Sequence, residues 1–326
     1  MTDNTITIMS VSGGKDSTAM LLWALERKTP FRPVFANTGN EHPATLDYVR
    51  NLPRLTGCPE IEWIKADFSD AFEGRRKRLP GLWMPDLLQG RPGMPPMSQE
   101  EAKKCVQTAQ EAMHPTGNPF LDLCLLKARF PSTRARFCSQ SLKRDAIHEQ
   151  VIIPLLDEGF QVVSMLGVRR DESRARAALE EWEDLGDGRM IHRPIVGWSA
   201  AQVFDIHRRH GVEPNPLYKQ GCTRVGCMPC IHERKAGILN ISQRWPEHLE
   251  RIADWEQRVK RASKRQWATF FPADKTPGPH RHDVTLPIPT VWEVVEWSKT
   301  GRGGYNYDMF ADEAPPACAS EYGLCE

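Results

Sequence analysis

Hydrophobic positions along the chain come in short blocks separated by polar, glycine-marked turns. Thr5 to Val11 is a β-branched apolar run that reads as a buried strand. Ser17 to Lys28, apolar through Ala19, Met20, Leu21, Leu22, Trp23 and Leu25, reads as a mostly buried helix. Arg32 to Ala36 and Ile61 to Lys65 repeat the strand pattern. Between them Pro43 to Leu55 reads as a helix, with proline in its first turn. This β-α-β-α-β rhythm predicts an α/β fold: a doubly wound parallel sheet with helices on both faces. From about Asp70 to Gly117 the rhythm breaks among glycines and prolines, and the stretch reads as a loop-like insertion over the active-site face. It holds the run Arg75-Arg76-Lys77-Arg78 near Trp83, a weak nucleic-acid signal, since such runs are more often solvated surface. Helix returns over Phe120–Phe130 and from Ser141 to Leu156. Gln161 to Gly167 is the next strand and Ile191 to Ile195 a last short one. Ser199 and Gln202 fit a capping box that starts a helix running to His210. Beyond a helix from Trp245 to about Lys264 the chain is rich in Pro, Gly and Trp, with Trp292, Trp297 and Tyr305 read as packing residues.

The first strand and helix are joined by Ser12-Gly13-Gly14-Lys15-Asp16-Ser17. A glycine-rich turn that opens a helix is an anion site: helix N–H groups point outward and glycine lets backbone approach phosphate closely. The pattern G-x-x-x-x-G-K-[ST] is absent, which excludes a P-loop NTPase. The loop Asn37-Thr38-Gly39-Asn40-Glu41 follows the second strand, and Gly167-Val168-Arg169-Arg170-Asp171-Glu172-Ser173-Arg174-Ala175-Arg176 follows the strand at 161–167. All three loops belong at the carboxyl edge of the sheet, where such folds bind ligands. The many arginines there, with Arg134, Arg136 and Lys143, predict an anion larger than one phosphate.

Net charge is +1, which gives no global pull toward nucleic acid or membrane. No signal-like segment and no apolar run of membrane-spanning length is present, so a cytoplasmic protein is expected. Nine cysteines in such a setting point to metal or redox chemistry before disulfides. Cys222, Cys227 and Cys230 are spaced C-x4-C-x2-C, as a shared metal requires. Cys138, opening a helix among basic residues, is the best fourth ligand, with His232 a lesser option. Four sulfurs suit a [4Fe–4S] cluster or structural Zn2+.

The loop at 12–17 resembles that of the PP-loop ATP pyrophosphatases. That resemblance implies ATP cleavage between the α- and β-phosphates, with Ser12, Gly13, Gly14, Asp16 and Ser17 holding pyrophosphate, Lys15 adding charge and Asp16 helping to place Mg2+. The ordered set Ser-Gly-Gly-Lys-Asp-Ser, Asn-Thr-Gly-Asn-Glu, Arg-Phe-Cys-Ser, Gly-Val-Arg-x-x-Glu-Ser-x-x-Arg and Arg-Val-Gly-Cys-x-x-Cys is similar to the phosphoadenosine phosphosulfate (PAPS) reductase family, most of all its DndC-type and phage-encoded branch. The similarity covers roughly residues 5 to 235 without the insertion. It implies that Cys138, Cys222, Cys227 and Cys230 hold the cluster. Lys15, Asp16, Arg169 and Arg176 become candidate catalytic residues, while Asn37, Gly39, Glu41, Gly167, Glu172 and Ser173 join the loop in nucleotide binding. PAPS reductases lack the complete loop and end in a Glu-Cys-Gly-Leu/Ile-His tail. Here the loop is intact, and Cys318 and Cys325 only echo the tail.

The expectation is therefore an ATP-dependent, adenylylating sulfur transferase acting on a nucleotide or nucleic acid. Its expected partners are a sulfur donor such as a cysteine desulfurase and a second copy of itself, with no membrane. The alternatives are a reductase of PAPS or adenosine 5′-phosphosulfate, and a zinc-stapled, non-enzymatic nucleotide- or DNA-binding accessory. Residues 1–215 are expected as the nucleotide-binding domain, with the insertion at about 70–118. Residues 216–326 are expected as the cysteine segment, a helical region and a tail.

Overall fold

The computed structural model describes residues 4–91, 94–271 and 289–301. Tyr305, Cys318 and Cys325 lie outside the described residues. Two compact units are present, one of residues 4–66 and 136–228, the other of 67–135, 229–271 and 289–301. The division runs through 66/67, 135/136 and 228/229, whereas the sequence reading sets one boundary at 215/216.

The first unit is a six-stranded sheet in the order β3-β2-β1-β4-β6-β5. Its strands are β1 (Thr5–Ser10), β2 (Arg32–Ala36), β3 (Glu62–Ile64), β4 (Gln161–Met165), β5 (Trp182–Gly186) and β6 (Arg189–His192). The first four and β6 run parallel, as the doubly wound expectation requires, and β1 is flanked by β2 and β4. β5 is an antiparallel addition at the edge that the hydrophobic pattern missed, because its residues are nearly all exposed and its apolar Trp182 and Leu185 are split by two acids. Its turn needs left-handed backbone at Gly186, Asp187 and Gly188.

Helix α1 (Lys15–Glu26) is buried from Asp16 through Leu22 because it lies between the sheet and neighbouring helices. α2 (Pro43–Thr56) is capped by the His42 ring and ended by Gly57. α9 (Ala200–His210) carries the expected Ser199–Gln202 capping box and stops at Gly211. Met9, Met20, Leu21, Leu22, Phe35, Val49, Leu52, Met165, Val203 and Ile206 form one core among these elements. The helical stretch after residue 136 is broken into α6 (Phe137–Ser139), α7 (Asp145–Ile147) and α8 (Ile153–Asp157) by π turns. The second π turn runs up to Pro154, which has no N–H and crowds the carbonyl one turn back.

The second unit is helical: α3 (Ser69–Gln89), α4 (Gln99–Ala112), α5 (Pro119–Lys127), α10 (Lys235–Arg244), α11 (Pro246–Ala262) and α12 (Val291–Ser298). This corrects the loop-like reading of 70–118. α3 contains Pro80 and Pro85, which argue against helix from sequence, yet it buries Phe72, Leu79, Trp83 and Leu87 along one stripe. Burial of those four large side chains outweighs the propensity cost. The basic run is dispersed around this helix: Arg76 bonds the Met113 carbonyl, Lys77 pairs with Glu73, and Arg78 bonds the Gly74 carbonyl. The core is aromatic, with Phe120 stacked on Trp255 at 5.5 Å and Phe270 against Phe120, Phe130 and Phe271.

Glu256, inside this core, accepts the Phe270 N–H at 2.8 Å and the Val291 N–H at 3.0 Å. Burial pushes its carboxyl up from 4.5 to about 6, although those bonds pull the other way. A raised carboxyl pKa means that the folded state binds the proton more tightly than the unfolded chain. The linked stability is complete below pH 4.5 and is lost as pH rises through about 6, a loss of about 2 kcal/mol. The stability of the parent minus that of Glu256→Gln should therefore fall by about that amount between about pH 4 and pH 7 in urea titrations. A constant difference would rule this out.

Candidate functional site

The chain turns out of β1 into α1 through a loop whose shape is set by its own residues. Gly13 sits at φ +77°, and a Cβ there would lie 2.8 Å from Val49 Cγ2. The position therefore admits only glycine. The Ser17 hydroxyl donates to the Gly14 carbonyl at 3.1 Å and accepts from the Ser12 N–H and Ser12 hydroxyl at 3.2 and 3.0 Å. The loop is thereby pre-organised before any anion reaches it.

Three residues that the sequence reading missed hold the loop from below. Asn215, fully buried, donates to the Gly13 carbonyl at 3.2 Å. The Tyr218 hydroxyl accepts the Lys15 N–H at 3.1 Å. His207 lies between the Lys15 and Val212 carbonyls, 2.9 Å from each. Only Asn215-Pro216 carried a signal, as a cap followed by proline at a helix start; the cap is real, with Leu217 N–H as its donor.

Asp16 is fully buried, and its carboxylate is already occupied: Lys15 Nζ lies at 2.6 Å and Arg169 Nε at 2.5 Å. Burial alone would lower the Arg169 pKa, but the charge and hydrogen bond of Asp16, then Asp171 and Glu172, outweigh it and raise it. Arg169 also pairs with Asp171. Glu172 accepts the Arg169 N–H at 2.7 Å and pairs with Arg176, itself buried. Arg170 bonds the Leu179 carbonyl. Two of the arginines expected to converge on one anion, Arg169 and Arg176, are thus paired with neighbouring carboxylates, and Arg174 is exposed. Gly167 has a packing reason to be glycine, because a Cβ there would lie 2.9 Å from Ser17 Cα. The Ser173 hydroxyl is buried with no hydrogen-bond partner among the described residues.

The loop after β2 is similarly tied. Asn37 Oδ1 accepts the Gly39 N–H at 2.9 Å, and Glu41 accepts both the Thr38 N–H and its hydroxyl, the latter at 2.6 Å. It also seats the cysteine segment: Met228 N–H bonds the Asn40 carbonyl at 2.7 Å, and Thr38 Oγ1 lies 3.4 Å from Cys227 Sγ.

Cys138, Cys222 and Cys227 belong to the first unit and Cys230 to the second; all four are half-buried and none is in a disulfide. Among the described residues no three His, Cys, Asp or Glu side chains are grouped so that they could hold a metal ion. Thr38 Oγ1 lies 3.4 Å from the Cys227 sulfur, and Cys230 Sγ accepts the His232 N–H at 3.5 Å. Among the described residues no helix is long and apolar enough to cross a membrane.

Residues 6–77 and 127–233 match the sequence model of the phosphoadenosine phosphosulfate reductase domain. The chain belongs to the PAPS reductase family. Within the PP-loop superfamily, this family membership accounts for the order of the motif loops along the sheet edge. An uncharacterized 37.8 kDa protein of Escherichia phage 186 is 45% identical across 99% of this chain and 98% of its own length. Adenosine 5′-phosphosulfate reductase of Burkholderia cepacia is 31% identical across 33% of this chain and 44% of its own length. The corresponding enzyme of Allochromatium vinosum is 36% identical across 24% and 31%. The chain thus spans less than half the length of these two reductases. The phosphate complex of PAPS reductase from Candida auris is similar with a TM-score of 0.39 and 18% identity, covering 69% of this chain and 81% of that one.

Proposed function

We propose that this PAPS reductase family member is an ATP-dependent, pyrophosphate-releasing sulfur transferase that adenylylates an oxygen of a nucleotide or nucleic-acid substrate. The observation that carries the reading is the complete loop from Ser12 to Ser17, pre-organised at the carboxyl end of the central strand and opening a buried helix. Its length, two glycines and linked hydroxyls suit a polyphosphate. In the first step the substrate oxygen bonds the α-phosphorus of ATP, the α–β bridge breaks, and pyrophosphate leaves; Mg2+, when bound, would neutralise charge on the phosphates. The terminal sulfur of a cysteine persulfide then bonds the activated atom and AMP departs with the electron pair; a second thiol attacks the inner sulfur, the S–S bond breaks to free the thiolated substrate, and the disulfide left behind is reduced by an external thiol. AMP is a far better leaving group than hydroxide, which is why activation precedes sulfur transfer.

The chain's own residues divide this work. The loop backbone and Lys15, whose side chain is 17% exposed, receive the phosphates. Asp16, Arg169, Glu172 and Arg176 fix the shape of the adjoining loops. Cys138, Cys222 and Cys227 are the half-buried thiols of the same unit and the candidates for carrying sulfur.

A second reading, reduction of a sulfonucleotide, is favoured by the local similarity to adenosine 5′-phosphosulfate reductases. One assay separates the two. Purified protein with labelled ATP and Mg2+ should yield AMP and pyrophosphate. Absence of ATP cleavage, together with thiol-dependent sulfite release from adenosine 5′-phosphosulfate, would transfer the assignment to the reductase.

A further inference from the structure

Within the second unit lies a cavity of about 520 Å3, lined by none of the residues of the loops at 12–17, 37–41 and 167–176. Arg75, Arg91, Lys127, Arg129, Lys264 and Arg265 line it, and no Asp or Glu is among the described lining residues. Asp86, nearby, pairs with both Lys264 and Arg91. Arg75 is the member of the basic run that faces this cavity; its Nε is buried with no hydrogen-bond partner among the described residues. Burial, then the charge of Arg78, lower its pKa, as expected for a cation short of a counter-charge. Aromatic rings are interleaved: the Arg265 guanidinium lies 5.6 Å from the Trp267 ring centroid and Lys264 Nζ 5.9 Å from that of Trp83. Trp267 is 39% exposed, so part of its ring is open to a ligand.

Like charges gathered in one cavity repel unless a multivalent anion joins them. The cations come from four separate chain stretches, which suits successive phosphates better than one. Cations along a groove beside an open indole are the arrangement that holds a single strand, phosphates on the cations and a base on the ring. We infer that this cavity binds single-stranded nucleic acid. Adenylylation chemistry needs no second anion site, so this binding stands or falls apart from it.

The test is fluorescence anisotropy of a labelled single-stranded oligodeoxynucleotide with the full chain at several salt concentrations. Arg75→Ala combined with Lys127→Ala should weaken binding about tenfold or more and make the salt slope shallower by about 1.4, some 0.7 for each phosphate no longer neutralised. Trp267→Ala should weaken it by about tenfold at fixed salt. Lys77→Ala, on the same helix but paired with Glu73, should stay within about twofold of the parent. Unchanged thermal melting shows that the variants are folded. The proposal is overturned if the oligonucleotide does not bind, if duplex or inorganic phosphate competes as well as single strand, or if the cavity variants behave like Lys77→Ala.

Discussion

Asp16→Ala is expected to destabilise the first unit by about 3–5 kcal/mol and to abolish nucleotide cleavage together with it. The carboxylate is fully buried between Lys15 and Arg169, and Arg169 is itself only 4% exposed. Removing the acid leaves a desolvated guanidinium whose remaining partners, Asp171 and the Trp198 carbonyl, belong to its own side of the contact. The loss also unties two motif loops, since the Asp16–Arg169 pair joins the loop after β1 to that after β4. Asp16→Asn keeps the shape and one acceptor, so it should lose less stability while still impairing cleavage. Urea unfolding and pyrophosphate release, measured on both variants, read the two effects separately. An alanine variant as stable as its parent would remove the structural role argued for this pair.

The second large effect comes from a missing side chain. Gly167→Ala should cost about 1–3 kcal/mol and weaken nucleotide binding by about tenfold or more. Its Cβ would lie 2.9 Å from Ser17 Cα and 3.0 Å from the Asp16 carbonyl oxygen, and neither atom can rotate aside as a flexible side chain would. The loop that receives the anion must move instead. Gly197→Ala is the matched control, because nothing lies within 4 Å of its Cβ, and it should fall within about 0.5 kcal/mol of the parent. Equal behaviour of the two variants would contradict the packing account.

What the sequence carried was local. The run from Thr5 through the glycine turn into the apolar helix, and the Ser199–Gln202 capping box, depend on neighbours a few residues apart, and both formed as read. α3 was hidden because Pro80 and Pro85 speak louder in sequence than a stripe of four buried side chains. The site was half legible for the same reason. Its loops follow from motif order, but the partner of Asp16 comes from beyond β4, and no spacing rule links it to Arg169. Two charges that looked like part of a converging anion site along the chain, Arg169 and Arg176, proved to be paired with Asp171 and Glu172 once folded. Asn215, Tyr218 and His207 were missed because each acts on backbone groups of the loop, and a backbone contact leaves little trace in a sequence.

The first unit is interrupted: β1, β2 and β3 precede residues 67–135, while β4, which pairs with β1 from Thr5↔Gln161 to Met9↔Met165, follows them. A ribosome delivers the N-terminal strands first, and β2 can close one side of β1 almost at once. The other side stays an open edge of apolar strand until the entire intervening stretch has been synthesised. Pairing so distant is slow, and an unprotected edge is an invitation to other chains in the meantime. If residues 67–135 gather into helices as they emerge, they shorten the effective gap that β4 must bridge. The second unit's first helices would then act, during biosynthesis, as a built-in aid to closing the sheet of the first.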